Sequence, residues 1–300
     1  MTIEPRLIVS GLGFPEGPTY LGDGEVVVTE IRGQCVTRCS EGSSSVIAQT
    51  GGGANGSTLA ADGSLYIANN GGLSLGPGGY WVAPGGLEEG RIQRVRLDGA
   101  CEDLPALPGD PPHRPNDLCF GPDGKLYFTD PRNWEDFANF LMGRVYRLDV
   151  AAGEADVIAE VPMFCNGIGF GPDGRLHVAQ SNIMKVIVFD WTPAGVGEPQ
   201  EFATLERGFP DGFCFAANGD AYVCGSLGDV IQVYDVDGKH KQTIEFPEHT
   251  HPTNACIGDG TLYVTCSGTG ELVAFDLGID PLPLYPFRTG NVVGLYKPIG

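Results

Sequence analysis

The sequence predicts an all-β fold: a six-bladed β-propeller with four-stranded antiparallel blades around a central channel. Three observations predict it. Short runs of Val, Ile, Tyr and Phe alternate with Gly, Asp and Asn turns, and no long helical period interrupts them. One type of segment recurs six times along the chain. The recurrence has the spacing of a propeller blade, about 40–50 residues.

The six segments begin Glu16-Gly-Pro-Thr-Tyr, Asn55-Gly-Ser-Thr-Leu, Asn116-Asp-Leu-Cys-Phe, Asn166-Gly-Ile-Gly-Phe, Asp211-Gly-Phe-Cys-Phe and Thr253-Asn-Ala-Cys-Ile. Each reaches a turn glycine, in order Gly24, Gly63, Gly124, Gly174, Gly219 and Gly260, eight residues on in five cases and seven in the last. These glycines lie 39, 61, 50, 45 and 41 residues apart. Asp-Gly and Asn-Gly pairs suit a tight hairpin turn that needs φ > 0. Strands such as VVVT, LYIA and LYFT follow the turns, and GRVYRLDV and KVIVFDW continue two blades. A lone blade leaves both faces bare, so the six must stack into a ring. One domain over residues 1–300 is expected, closed by pairing the N-terminal strand Arg6–Ser10 with the last blade.

Composition narrows the function. Acidic residues outnumber basic ones 38 to 18, for a net charge of −20. That balance argues against nucleic acid or an anionic membrane as partner, because phosphate contacts need clustered Lys and Arg. No apolar run approaches a membrane span, and the first residues lack a signal-peptide pattern. Nine scattered cysteines without C-x-x-C pairs suggest reduced thiols, hence a cytoplasmic protein.

The first strand of each blade lines the channel, so the residues that start the six segments ring one end of it. They are Glu16, Asn55, Asn116, Asn166, Asp211 and Thr253. Six residues after each turn glycine comes a second ring: Glu30, Asn69, Asp130, Gln180, Gly225 and Cys266. Insertions at 71–90 and 131–142 should overhang the same face, where the site is expected. One polar residue at a strand start merely serves a turn. Glu16, Asn116, Asn166 and Asp211 converging on one axis is different, since two facing carboxylates repel without a proton or cation between them. Two carboxylates and two amides form an all-oxygen set that suits Ca²⁺ and, less selectively, Mg²⁺ or Mn²⁺.

The motifs FPEGP, RPNDLCFGPDGKLYFTDP, CNGIGFGPDGRLHVAQS and FPDGF resemble the gluconolactonase family, which includes senescence marker protein and luciferin-regenerating enzyme. The resemblance covers about residues 10–278. It implies a six-bladed propeller with one divalent cation in the channel, and in many members lactone hydrolysis. Residue by residue, the family's metal ligands fall on Glu16, Asn116, Asn166 and Asp211, with Asp211 the candidate base. Arg114 matches an arginine that contacts substrate in some members. Cys165 stands where the family often has proline, and the Gly-rich insertion is not universal in it.

The expected protein is therefore a metal-dependent lactonase using Ca²⁺, with Zn²⁺, Mn²⁺ or Mg²⁺ as alternatives, and a small lactone or ester as substrate. Asn55, Arg114 and Asn133 are candidate hydrogen-bond donors to that substrate. Tyr80, Trp81, Trp134 and Phe140 on the insertions could cover an apolar ring. Rival readings are a different ester or phosphotriester at the same site, or a propeller that only binds. GGGANG at 51–56 is read as a strand entry rather than a dinucleotide loop, because no helix follows it. Asp235-Val-Asp237-Gly238 reads as a hairpin turn, and Cys119, Cys214 and Cys256 as packing between blades.

Overall fold

All six turn glycines take the left-handed conformation, with φ between +75° and +89°. A side chain there would strain the backbone, which is why the repeat keeps glycine at this position. A computed structural model of the chain describes residues 4–72, 88–133, 141–162 and 164–285. It is a six-bladed β-propeller. Blades 1, 2, 3 and 5 each take four consecutive antiparallel strands, their innermost being Pro15–Gly22, Ala54–Leu59, Leu118–Phe120 and Phe209–Phe215. Blade 4 starts with Cys165–Phe170 and carries an extra hairpin, Trp191–Thr192 with Gly195–Val196, before its outer strand. Blade 6 starts with Pro252–Gly258 and takes its outer strand from the other end of the chain: Arg6–Ser10 pairs with Glu271–Ile279, as expected for ring closure.

Six apolar clusters fill the six seams between neighbouring blades. Val27, Val36 and Ile67 join blades 1 and 2, and Phe120, Tyr146 and Tyr66 join 2 and 3. Cys119, Cys214 and Cys256 border three of these seams, as the sequence suggested. Burial raises the pKa of all three thiols, so they remain protonated packing groups. The segment 51–56 leads into the strand Ala54–Leu59, not a helix. Asp235 accepts from the N–H groups of Asp237 and Lys239, which makes that acidic motif a turn. Among the described residues, no helix is long and apolar enough to cross a membrane.

After blade 6 the chain turns under the face opposite the ring residues. Leu282 N–H donates to Phe215 O at 3.0 Å, and Tyr285 packs edge-on against Phe170.

Ring closure gives the first prediction. Deleting residues 1–10 exposes the edge of blade 6 and removes Ile8 and Val9, which are 4% and 7% exposed. Burying two such side chains is worth roughly 3–6 kcal/mol in all, so the thermal midpoint should fall by on the order of 10 °C. Calorimetry of the truncated chain checks this, and an unchanged midpoint would show that blade 6 does not need its borrowed strand.

Candidate functional site

A break in strand pairing recurs where each inner strand enters the channel. The register slips between Glu16 and Thr19, Ala54 and Ser57, Cys165 and Ile168, Pro210 and Phe213, and Pro252 and Asn254. Bulges of this kind bend a strand and re-aim its side chains. Blade 3 reaches the same end differently: Asn116 and Asp117 precede its strand and exchange backbone bonds with Thr129.

Neighbouring blades are tied together around this ring. Thr29 Oγ1 donates to Asn55 O, Gly56 N–H to Asn116 O at 2.7 Å, and Thr129 Oγ1 to Asn166 O at 2.6 Å. Ser181 Oγ donates to Pro210 O at 2.7 Å and Thr253 Oγ1 to Pro15 O at 2.9 Å. The backbone beside every candidate ligand is thus held by the next blade. Gly17 and Gly167 allow the approach: a Cβ on either would lie 2.5 Å from Asn55 O or 2.4 Å from Asp211 O.

The carboxylates meet inside this frame. Glu16 is buried, and Gly17 N–H donates to it at 3.3 Å. Burial first, then the charges of Asp211 and Asp117, raises its pKa well above the ordinary carboxylate range. Asp211 is half-buried. Its pKa is raised by burial, opposed by a hydrogen bond from Asn166, raised further by the charge of Asp117, and lowered by Ser226 and Gly212 N–H. Asp117, absent from the sequence reading, is pushed up to about 6 by burial. Asn166 also donates from Nδ2 to Ser181 Oγ at 3.2 Å. Blades 1, 3 and 5 therefore bring three carboxylates into one buried neighbourhood, with Asn166 beside them.

The second ring does other work. Asp130 is fully buried and accepts from His113 Nδ1 at 2.9 Å and from the N–H groups of Arg114 and Arg132 at 2.8 Å each. Both of its oxygens are thus engaged in holding the loops around it. Glu30, Asn69 and Gln180 likewise fasten connecting loops, through Gly13 N–H, Gly71 N–H and Pro162 O. His113 is buried against Asp130.

The substrate candidates divide. Asn55 is buried in the first ring, next to the Gly56–Asn116 tie. Arg114 is buried at the root of the 71–90 insertion, where its Nη1 donates to Glu88 O at 3.1 Å and His113 O at 2.7 Å. Asn133 accepts from Leu141 N–H at 2.7 Å, which gives its oxygen a role in closing its own loop. Tyr80, Trp81, Trp134 and Phe140 lie outside the described residues, as does most of 71–90.

The model of the SMP-30/Gluconolactonase/LRE-like region matches residues 14–268. The chain belongs to that family. An L-arabinolactonase of Azospirillum brasilense is 29% identical over 133 residues, 43% of this chain. A gluconolactonase of Zymomonas mobilis is 24% identical over 221 residues, 65% of this chain. The matched regions span 44% and 60% of those two relatives' lengths. Among solved structures, the calcium-binding protein regucalcin from Agrobacterium tumefaciens superposes with a TM-score of 0.77 at 18% identity, covering 96% of this chain and 99% of that one. It shares the fold.

The donor chemistry fits a hard divalent cation. Among the described residues, no three His, Cys, Asp or Glu side chains are arranged to hold a metal ion. A site here must draw on amide oxygens as well as on Glu16 and Asp211, as the all-oxygen set does. The charge cluster sets a pH prediction for the cation-free protein. Glu16, Asp117 and Asp211 all have folded pKa values above their unfolded ones. Their contribution to stability is therefore largest at low pH and is lost as pH rises through the raised values. In chelator, the thermal midpoint should decline from the ordinary carboxylate range upward through neutrality. Saturating Ca²⁺ should flatten the decline. A chelated protein whose midpoint rises over that range would contradict the clustering.

Proposed function

We propose that this protein hydrolyses a lactone, a sugar lactone or related cyclic ester, with one divalent cation held by Glu16, Asn116, Asn166 and Asp211. The supporting observation is the pair of mutually repelling carboxylates from blades 1 and 5, beside an amide from blade 4, in a chain of a lactonase-containing family. The relatives' names, L-arabinolactonase and gluconolactonase, support the substrate class. Ca²⁺ is favoured by the oxygen donors and accords with the calcium-binding name of the regucalcin neighbour. Zn²⁺, Mn²⁺ and Mg²⁺ are the alternatives. All nine cysteines are free, which supports a reducing, cytoplasmic setting.

Bound there, the cation supplies Lewis-acid polarisation of the ester carbonyl. The protein's own residues do the rest. Asp211 accepts a proton from the attacking water, its basicity raised by burial first and by the neighbouring charge of Asp117 as well. The water oxygen bonds to the carbonyl carbon, the ring C–O bond breaks, and Asp211 returns the proton to the departing ring oxygen. The product is a hydroxy acid, which ionises in water and acidifies the medium. Asn55 and Arg114 are the proposed donors to polar substituents of the substrate.

Asp211→Asn tests the assignment. The two side chains are nearly isosteric, so the fold should survive, but Asn cannot take the proton. With cation saturating, kcat on the best lactone of a proton-release panel should fall about 10²–10⁴-fold. Near-wild-type kcat would exclude Asp211 as the base. Turnover confined to phosphotriesters, or absent on every ester, would reject lactone hydrolysis.

A further inference from the structure

The position one past each ring residue is glycine in four blades: Gly17, Gly56, Gly167 and Gly212. In the other two blades it is Asp117 and Asn254. The glycines leave room for these two side chains. A Cβ on Gly56 would lie 2.4 Å from Asp117 Oδ1, and one on Gly212 only 2.0 Å from Asn254 Cγ. Blades 3 and 6 stand opposite each other in a ring of six. The 3.2 Å hydrogen bond from Asn254 Nδ2 to Asp117 Oδ2 therefore crosses the channel.

Both ends of this bridge are fixed. Asp117 is 7% exposed and accepts from Leu118 N–H at 2.9 Å and from Ile168 N–H of blade 4. Asn254 is 6% exposed, and its Oδ1 accepts from Ala255 N–H at 2.8 Å, which sets the amide with its donors toward the carboxylates. Asn254 is also hydrogen-bonded to Glu16. One amide thus holds Glu16 and Asp117, while the charge of Asp117 acts on both Glu16 and Asp211. A third buried carboxylate is costly for a cation-free protein. Its attraction for a bound cation offsets that cost.

We infer that Asp117 and Asn254 are positioning residues for the cation: Asn254 anchors Glu16 from the neighbouring blade and Asp117 across the channel, and Asp117 adds a third negative charge beside the site without ligating the ion. The inference rests on the cation site proposed above. Asp117→Asn keeps the shape and removes the charge. It should weaken Ca²⁺ binding, measured by calorimetric titration, about 10–100-fold, as loss of an outer-sphere partner does. In chelator, its thermal midpoint should equal or exceed that of wild type, because one of three like charges is gone. A purely structural role would instead lower the midpoint equally with and without Ca²⁺ and leave affinity unmoved. Asn254→Ala removes only the amide and should weaken Ca²⁺ binding by a smaller factor. Wild-type protein that binds Ca²⁺ while Asp117→Asn or Asn254→Ala binds it within twofold of wild type overturns this inference alone. Wild-type protein that does not bind Ca²⁺, Mn²⁺, Mg²⁺ or Zn²⁺ overturns the cation site and this inference with it.

Discussion

Glu16 and Asp211 enter the channel from different blades, each beside a backbone carbonyl held by the next blade: Pro15 O by Thr253 and Pro210 O by Ser181. Both are pushed toward the protonated form by burial and by neighbouring negative charge. Asp117 adds to the strain. A chain selected only for stability would place apolar or amide side chains here, as it does in the seams. The acids persist in a part of the fold where they oppose stability, and such exceptions to local consistency belong to functional sites. The proposed cation would turn the same repulsion into attraction, linking binding to folding.

The rest of the architecture holds this arrangement in place. Six apolar seams provide the bulk of the burial. Hydroxyl-to-carbonyl bonds such as Thr129 to Asn166 and Thr253 to Pro15 set the spacing of the inner strands. Rigid elements position donors better than loops do. Here the candidate ligands Glu16, Asn166 and Asp211 sit on bulged strand ends and Asn116 just before its strand, all beside backbone fixed from the neighbouring blade. The loops, by contrast, are fastened by the second ring, where Asp130 alone accepts from His113, Arg114 and Arg132.

Much of this was legible in the sequence because the repeat is strict. The six turn glycines gave the blade count, and the offset from them located Glu16, Asn116, Asn166 and Asp211 on equivalent strand ends. The N-terminal closure followed from the need to bury an outer edge. The loop-fastening role of Asp130 was not legible for a physical reason: a polar residue at a strand end can face the channel or satisfy loop N–H groups, and the repeat pattern is the same in both cases. Asp117 and Asn254 left a signal, the loss of glycine at one repeat position in two blades. That signal acquires meaning only once blades 3 and 6 are known to face each other. Ser226, which hydrogen-bonds Asp211, left none.

We propose that one cation sits among Glu16, Asn116, Asn166 and Asp211. Anomalous diffraction from a crystal grown with Mn²⁺ or Ca²⁺ tests it most directly. The account predicts one strong peak within about 2.0–2.6 Å of oxygens from all four side chains. A crystal with ample cation but no peak in the channel, or with these oxygens more than about 6 Å from any common point, would contradict it.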